Sequence, residues 1–132
     1  MLAVGNDELW RRFCQAAGLD SLGEDPRFAT NQQRLARYDL ATKKTRVLTE
    51  HIPWDVDGFD LSDDGRTIVF VINEDGIAKL HVLDTATGRE RAAPKLPAGQ
   101  ISGITFRPKS PEFGFTLDSA KSPSDAYSHD LA

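Results

Sequence analysis

The sequence predicts an α+β fold: short N-terminal helices followed by an antiparallel β-meander. Three observations carry that expectation. Apolar residues recur at helical spacing up to about Ala17 and alternate at a period of two from about Tyr38 onward. Turns rich in Asp, Asn and Gly punctuate the alternating part. The turns and strands of that part also recur at a fixed interval.

Leu2 to Val4 is a short apolar run of the kind that ends a strand. Asn6 or Asp7 then offers a side-chain oxygen to cap a helix. The spacing predicts a helix from about Glu8 to Ala17. Leu9, Phe13 and Ala16 form one face, which Trp10, Cys14 and Ala17 widen. Glu8 and Arg12 stand four apart in the favourable order. Gly18 is placed to take the left-handed position past the helix end, with Leu19 folding back. Gly23-Glu24-Asp25-Pro26 interrupts the pattern, since Pro26 pushes Asp25 out of helical space. Thr30 or Asn31 caps a second predicted helix through Gln32, Gln33, Arg34 and Leu35.

From Tyr38 the reading is strand and turn. Val56 to Leu61 alternates, with Phe59 and Leu61 on one face. Ser62-Asp63-Asp64-Gly65 is a turn with glycine supplying the left-handed residue. Thr67 to Ile72 is apolar on both faces, as in a strand covered on both sides. Asn73 to Gly76 turns again, Ala78 to Asp84 returns as a strand, and Thr85 to Gly88 closes with a further turn.

Asp39 and Asp84 open equivalent turns 45 residues apart. Gly58-Phe59 matches Gly103-Ile104, Leu61 matches Phe106, and Phe70 matches Phe115 at that offset. Asp130 reopens the pattern after one extra residue. A period near 45 with four short strands predicts about two propeller-like blades. Two turns depart from the repeat. Lys43 stands where the later copy has Gly88, and Ser110 where the earlier copy has Gly65. A side chain in a left-handed position costs roughly 1 kcal/mol, so both turns are expected to differ locally.

Two resemblances follow from these residues. Val4-Gly5-Asn6-Asp7, Leu9-Trp10, Phe13-Cys14, Leu19, Glu24 to Asn31 and Arg34 resemble a late segment of the class III CoA-transferases, over residues 1–36. That resemblance places the family's catalytic aspartate and glycine-rich loop upstream of the matching stretch. Tyr38-Asp39-Leu40-Ala41-Thr42, the Ser-Asp-Asp-Gly-Arg turn at Ser62 to Arg66, and Leu83 to Arg89 resemble the β-propeller of prolyl-oligopeptidase-type serine peptidases, over residues 38–132. There the resemblance implies a separate hydrolase domain that holds the nucleophile. The chain thus divides into a helical segment, 1–37, and a blade-like segment, 38–132.

Composition narrows the chemistry. A net charge of −4 with scattered cations offers no basic face for nucleic acid or an anionic membrane. No run approaches a membrane helix, and the start lacks a secretory pattern, so the expected location is cytoplasmic. Cys14, the single cysteine, reads as a small core residue. Gly99-Gln100-Ile101-Ser102-Gly103 misses the G-x-S-x-G spacing, so Ser102 reads as a strand residue. Asp55, Asp57, Asp60, Asp63 and Asp64 lack the alternation of a calcium loop and read as turn chemistry on a solvated face. His51, His81 and His129 are widely spaced and read as surface or strand residues.

No catalytic, cofactor-binding or metal-binding residue is therefore assigned, and no cofactor. The expected molecule is not an enzyme. It is a recombined or artificial chimera, or a fragment, without parental activity. The alternative is a small acidic binding module, of inhibitor or antitoxin type, that acts through exposed sheet edges. Its expected partner is a basic protein or a second copy joined through β edges.

Overall fold

The computed structural model of the chain describes residues 7–20, 24 and 35–132. They form antiparallel β-sheets and one short helix. The predicted strand end at Leu2 to Val4, the Asn6 cap, the break at Pro26 and the second helix over Gln32 to Arg34 lie outside the described residues; Leu35, the last residue of that predicted helix, is not helical but leads into a strand, its carbonyl accepting the Leu48 N–H at 2.7 Å. Contacts divide the chain into two compact units, Met1–Asp55 and Val56–Ala132.

In the first unit, α1 spans Asp7–Ala16. Its end is a Schellman motif. Gly18 has φ 66°; its N–H donates to the Gln15 carbonyl (3.2 Å), and the Leu19 N–H donates to that of Cys14 (2.7 Å). Arg12 reaches back to Glu8 at 2.9 Å. Strands β1 (Ala36–Tyr38) and β2 (Thr45–Val47) then form an antiparallel hairpin. Asp39 organises the turn: its carboxylate accepts from the Ala41 and Thr42 amides, while its own N–H donates to the Lys44 carbonyl. Lys43 adopts φ 56°, so the turn keeps the left-handed step without a glycine.

The second unit holds two meanders. Strands β3 (Val56–Leu61), β4 (Thr67–Glu74), β5 (Ile77–Asp84) and β6 (Glu90–Arg91) follow one another in one sheet. Strands β7 (Gly99–Phe106), β8 (Glu112–Ser119) and β9 (Asp125–Asp130) make the other. Strands β4 and β8 have the same length and begin 45 residues apart, as the repeat predicts. In β4 the six residues from Thr67 to Ile72 are all buried, as expected for a strand covered on both faces. Val69 and Val71 join Ala78, Leu80 and Val82 of β5 in a core with Ile101, Phe106, Phe113, Phe115 and Leu117. Alternation turns Ile68, Phe70 and Ile72 the other way, where they are buried too.

The turns follow local chemistry. Asp75 and Gly76, at φ 51° and 84°, form the two-residue link between β4 and β5, as a type I′ turn requires. Gly65 takes φ 70° after Ser62-Asp63-Asp64. The Lys43 turn, expected to differ locally, keeps its left-handed step, whereas the turn that matches Gly65 does differ. The left-handed residue there is Lys109 (φ 57°), not Ser110. Pro108 is the cause: its fixed φ suits the second position of a type II turn, which throws the positive φ onto the third residue. The Ser110 N–H still closes the turn on the Arg107 carbonyl.

Candidate functional site

The turns of the second unit converge on one concavity of about 480 Å³. The Ser62–Thr67 turn, Asp84, Arg91, Phe106, the Lys109–Pro111 turn and Leu131 line it. The acidic run supplies its framework. Asp60 accepts the Phe106 N–H at 2.7 Å, and Asp63 accepts the Lys109 N–H at 2.7 Å. These two carboxylates stitch the meanders together 46 residues apart, through amides that the β7–β8 ladder leaves over. Asp64 binds its own turn, through the Ser62 hydroxyl (2.7 Å) and the Arg66 amide (3.0 Å). The acids of the cleft are thus acceptors for backbone and hydroxyl groups, which suits turn chemistry. Among the described residues no group of three His, Cys, Asp or Glu is placed to hold a metal ion.

Carboxylate acidity follows the same bonds. The Thr42 amide holds Asp39 below the usual range, the Thr87 amide does so for Asp84, and the Ser62 hydroxyl for Asp64. Glu112 is lowered by the Ser128 hydroxyl and then by Arg107 at 3.1 Å. These groups stay ionised and serve as fixed acceptors.

The nucleophile candidates are scattered. Cys14 is buried, and desolvation followed by Asp20 raises its pKa, so the thiol stays protonated. Ser102 lies exposed in β7 opposite Thr116. His81 stacks on Phe70 (5.0 Å between ring centres), and its Nδ1 lies 3.0 Å from Glu90 on β6. His129 meets the edge of Phe113. The structure brings none of these three types together.

The other feature of the unit is the rim of the second meander. Strand β9 pairs with β8 on one side and is the last strand of its sheet. Most of its residues are exposed, Tyr127 by 41%. Tyr127 stacks on Phe115 at 15° between planes, the angle His81 makes with Phe70. Sequence reasoning singled out exposed edges in general; the 45-residue repeat was the signal that could have singled out β9.

Comparison with known proteins bears on the first unit. The model of CoA-transferase family III matches residues 1–52. A succinate–glutarate CoA-transferase of Agrobacterium fabrum (strain C58 / ATCC 33970) is 37% identical over 54 residues, 41% of this chain. The chain spans 13% of that relative's length. The expectation that the chain is not an enzyme is corrected by these matches, which point to an enzyme family along part of the chain. That expectation rested on missing catalytic residues, and the match covers part of the chain only. No solved structure matches the chain. The likeness of residues 38–132 to propeller peptidases has no counterpart among these findings. Among the described residues no helix is long and apolar enough to cross a membrane.

Proposed function

We propose that residues 56–132 act as a small acidic protein-binding module, working through exposed sheet edges beside a segment of CoA-transferase type. The observation that supports this most directly is β9, exposed along most of its length and paired on one side. An unpaired strand presents a row of backbone donors and acceptors on which another strand can add. A net charge of −4, with Asp125 and Asp130 at the two ends of β9, favours a basic partner. The 45-residue interval supports the finer reading of the meanders as propeller-like blades, one of four strands and one of three. The test is retention of basic, neutral and acidic proteins on the immobilised chain. Selective, salt-sensitive retention of the basic ones supports the module; none retained, or all equally, counts against it.

The family match at residues 1–52 favours a second reading: the chain contributes to CoA transfer between dicarboxylates, the chemistry in the name of its relative. Incubation with succinyl-CoA and glutarate tests it. Glutaryl-CoA formed above the rate without protein supports this reading, and none removes it. The family match ends at residue 52, which also supports a recombined origin for the chain. A natural homologue aligned without a break from residue 1 to 132 would sink that origin.

A further inference from the structure

We propose that the β1–β2 hairpin carries a phosphate-binding face, built from Arg37, Lys44 and Arg46, that takes the nucleotide end of coenzyme A. The proposal rests on the CoA-transfer reading and names the residues that would hold that ligand. The hairpin concentrates positive charge. Between Ala36 and Val47, Arg37, Lys43, Lys44 and Arg46 stand against a single acid, in a chain whose net charge is −4. All four cations are exposed. The acid, Asp39, is engaged within the turn, where its carboxylate accepts from the Ala41 and Thr42 amides.

Register brings the cations together. Arg37 lies opposite Arg46 in the β1–β2 ladder. On one side of that pair the Leu48 N–H donates to the Leu35 carbonyl, and on the other the Asp39 N–H donates to that of Lys44. Antiparallel alternation therefore makes Arg37 and Arg46 a hydrogen-bonded pair, with Cα atoms about 5.5 Å apart and side chains on one face. Lys44, two residues before Arg46, joins that face, and Lys43 adjoins it in the turn. At its base the same face carries Leu35 and Leu48, both buried, so one end is anchored and the cationic end is open. Tyr38 and Thr45 project the other way and are half-buried.

Like charges set directly opposite each other destabilise a strand pair, and a sequence that keeps them there breaks a local rule. An anion between them turns the repulsion into attraction. Phosphate suits the set: a guanidinium fork binds two of its oxygens at once, and an ammonium adds a point charge. Coenzyme A carries a phosphate on its ribose beside a diphosphate, and the hairpin lies within the residues that match CoA-transferase family III. Nucleic acid is a poorer occupant, because a footprint of roughly 6–10 phosphate contacts exceeds what this face offers.

The experiment titrates the full chain with coenzyme A, by calorimetry and by NMR of the backbone amides. The expected result is binding that weakens as salt rises, with shifts at amides of residues 36–47. Dephospho-coenzyme A should bind at least threefold more weakly, and pantetheine, which has no phosphate, should not bind. Arg37→Gln and Arg46→Gln should each weaken coenzyme A at least tenfold. Arg46→Lys, which keeps the charge, should lose less, and Lys121→Gln, in another turn, should change nothing. Amide spectra unchanged outside the hairpin check that each variant folds. Coenzyme A left unbound, pantetheine bound equally well, or affinity unchanged in both Gln variants overturns the proposal. An oligonucleotide bound more tightly than coenzyme A overturns the occupant. Glutaryl-CoA formed by a chain whose hairpin binds no coenzyme A would overturn this site and leave the CoA-transfer reading intact. Coenzyme A held at the hairpin without turnover would remove that reading and support the site.

Discussion

Among the described residues four that are not glycine take a left-handed φ: Lys43, Asp75, Lys109 and Ser124. Lys43 and Lys109 hold φ 56° and 57° without a glycine's freedom. Lys109→Gly should therefore stabilise the chain by about 0.5–1 kcal/mol, less the extra freedom gained by the unfolded chain. Chemical denaturation, with the Lys43→Gly variant beside it, checks the sign. Asp60 and Asp63 act the other way, each accepting an amide from the opposite meander. Asp60→Ala should cost about 1–2 kcal/mol by leaving the partly buried Phe106 amide without its acceptor. Asp60→Asn keeps an acceptor oxygen and should cost less; equal losses would mean that charge, not the bond, matters. These roles were only partly legible. The acidic run announces turn chemistry from composition alone. Which amide each carboxylate reaches depends on how two meanders 46 residues apart meet, and no local pattern encodes that.

At the scale of elements, the local signals were the reliable ones. Gly18 past α1, Asp75-Gly76 between β4 and β5, and the doubly apolar β4 all stand where sequence places them, because each depends on a few adjacent residues. The Lys109 turn differs from its Gly65 counterpart, as the missing glycine suggests, and Pro108 decides how. Two predictions belong here. Gly99 faces Ser119 across the β7–β8 ladder so closely that an added Cβ would land on the Asp118 carbonyl oxygen. Gly99→Ala should lower the melting temperature, whereas Gly58→Ala, with open space at its Cβ, should cost much less. The turns also set an acid limit. Asp39, Asp64, Asp84 and Glu112 bind protons more weakly folded than unfolded. Their contribution is full above the unfolded carboxylate range, about pH 4, and is lost as pH falls through the lowered folded values. Melting temperature should therefore drop below pH 4, and Asp84→Asn should make that drop shallower.

For the whole molecule, the two units carry different information. Residues 1–52 match an enzyme family, while residues 56–132 form two antiparallel meanders. The family likeness was legible because unusual residues keep their spacing. A catalytic role was judged too narrowly, since residues outside a matched segment say nothing about that segment's family. The open rim was legible only as a consequence of counting strands against the repeat: four in one meander, three in the next. Amide exchange of the free chain, resolved residue by residue, tests that rim most directly. The account predicts alternation along β9: fast exchange at Ala126, Ser128 and Asp130, and slow exchange at Tyr127 and His129, whose amides face β8. Uniform protection along β9 would contradict it, because the outer edge would then already be paired.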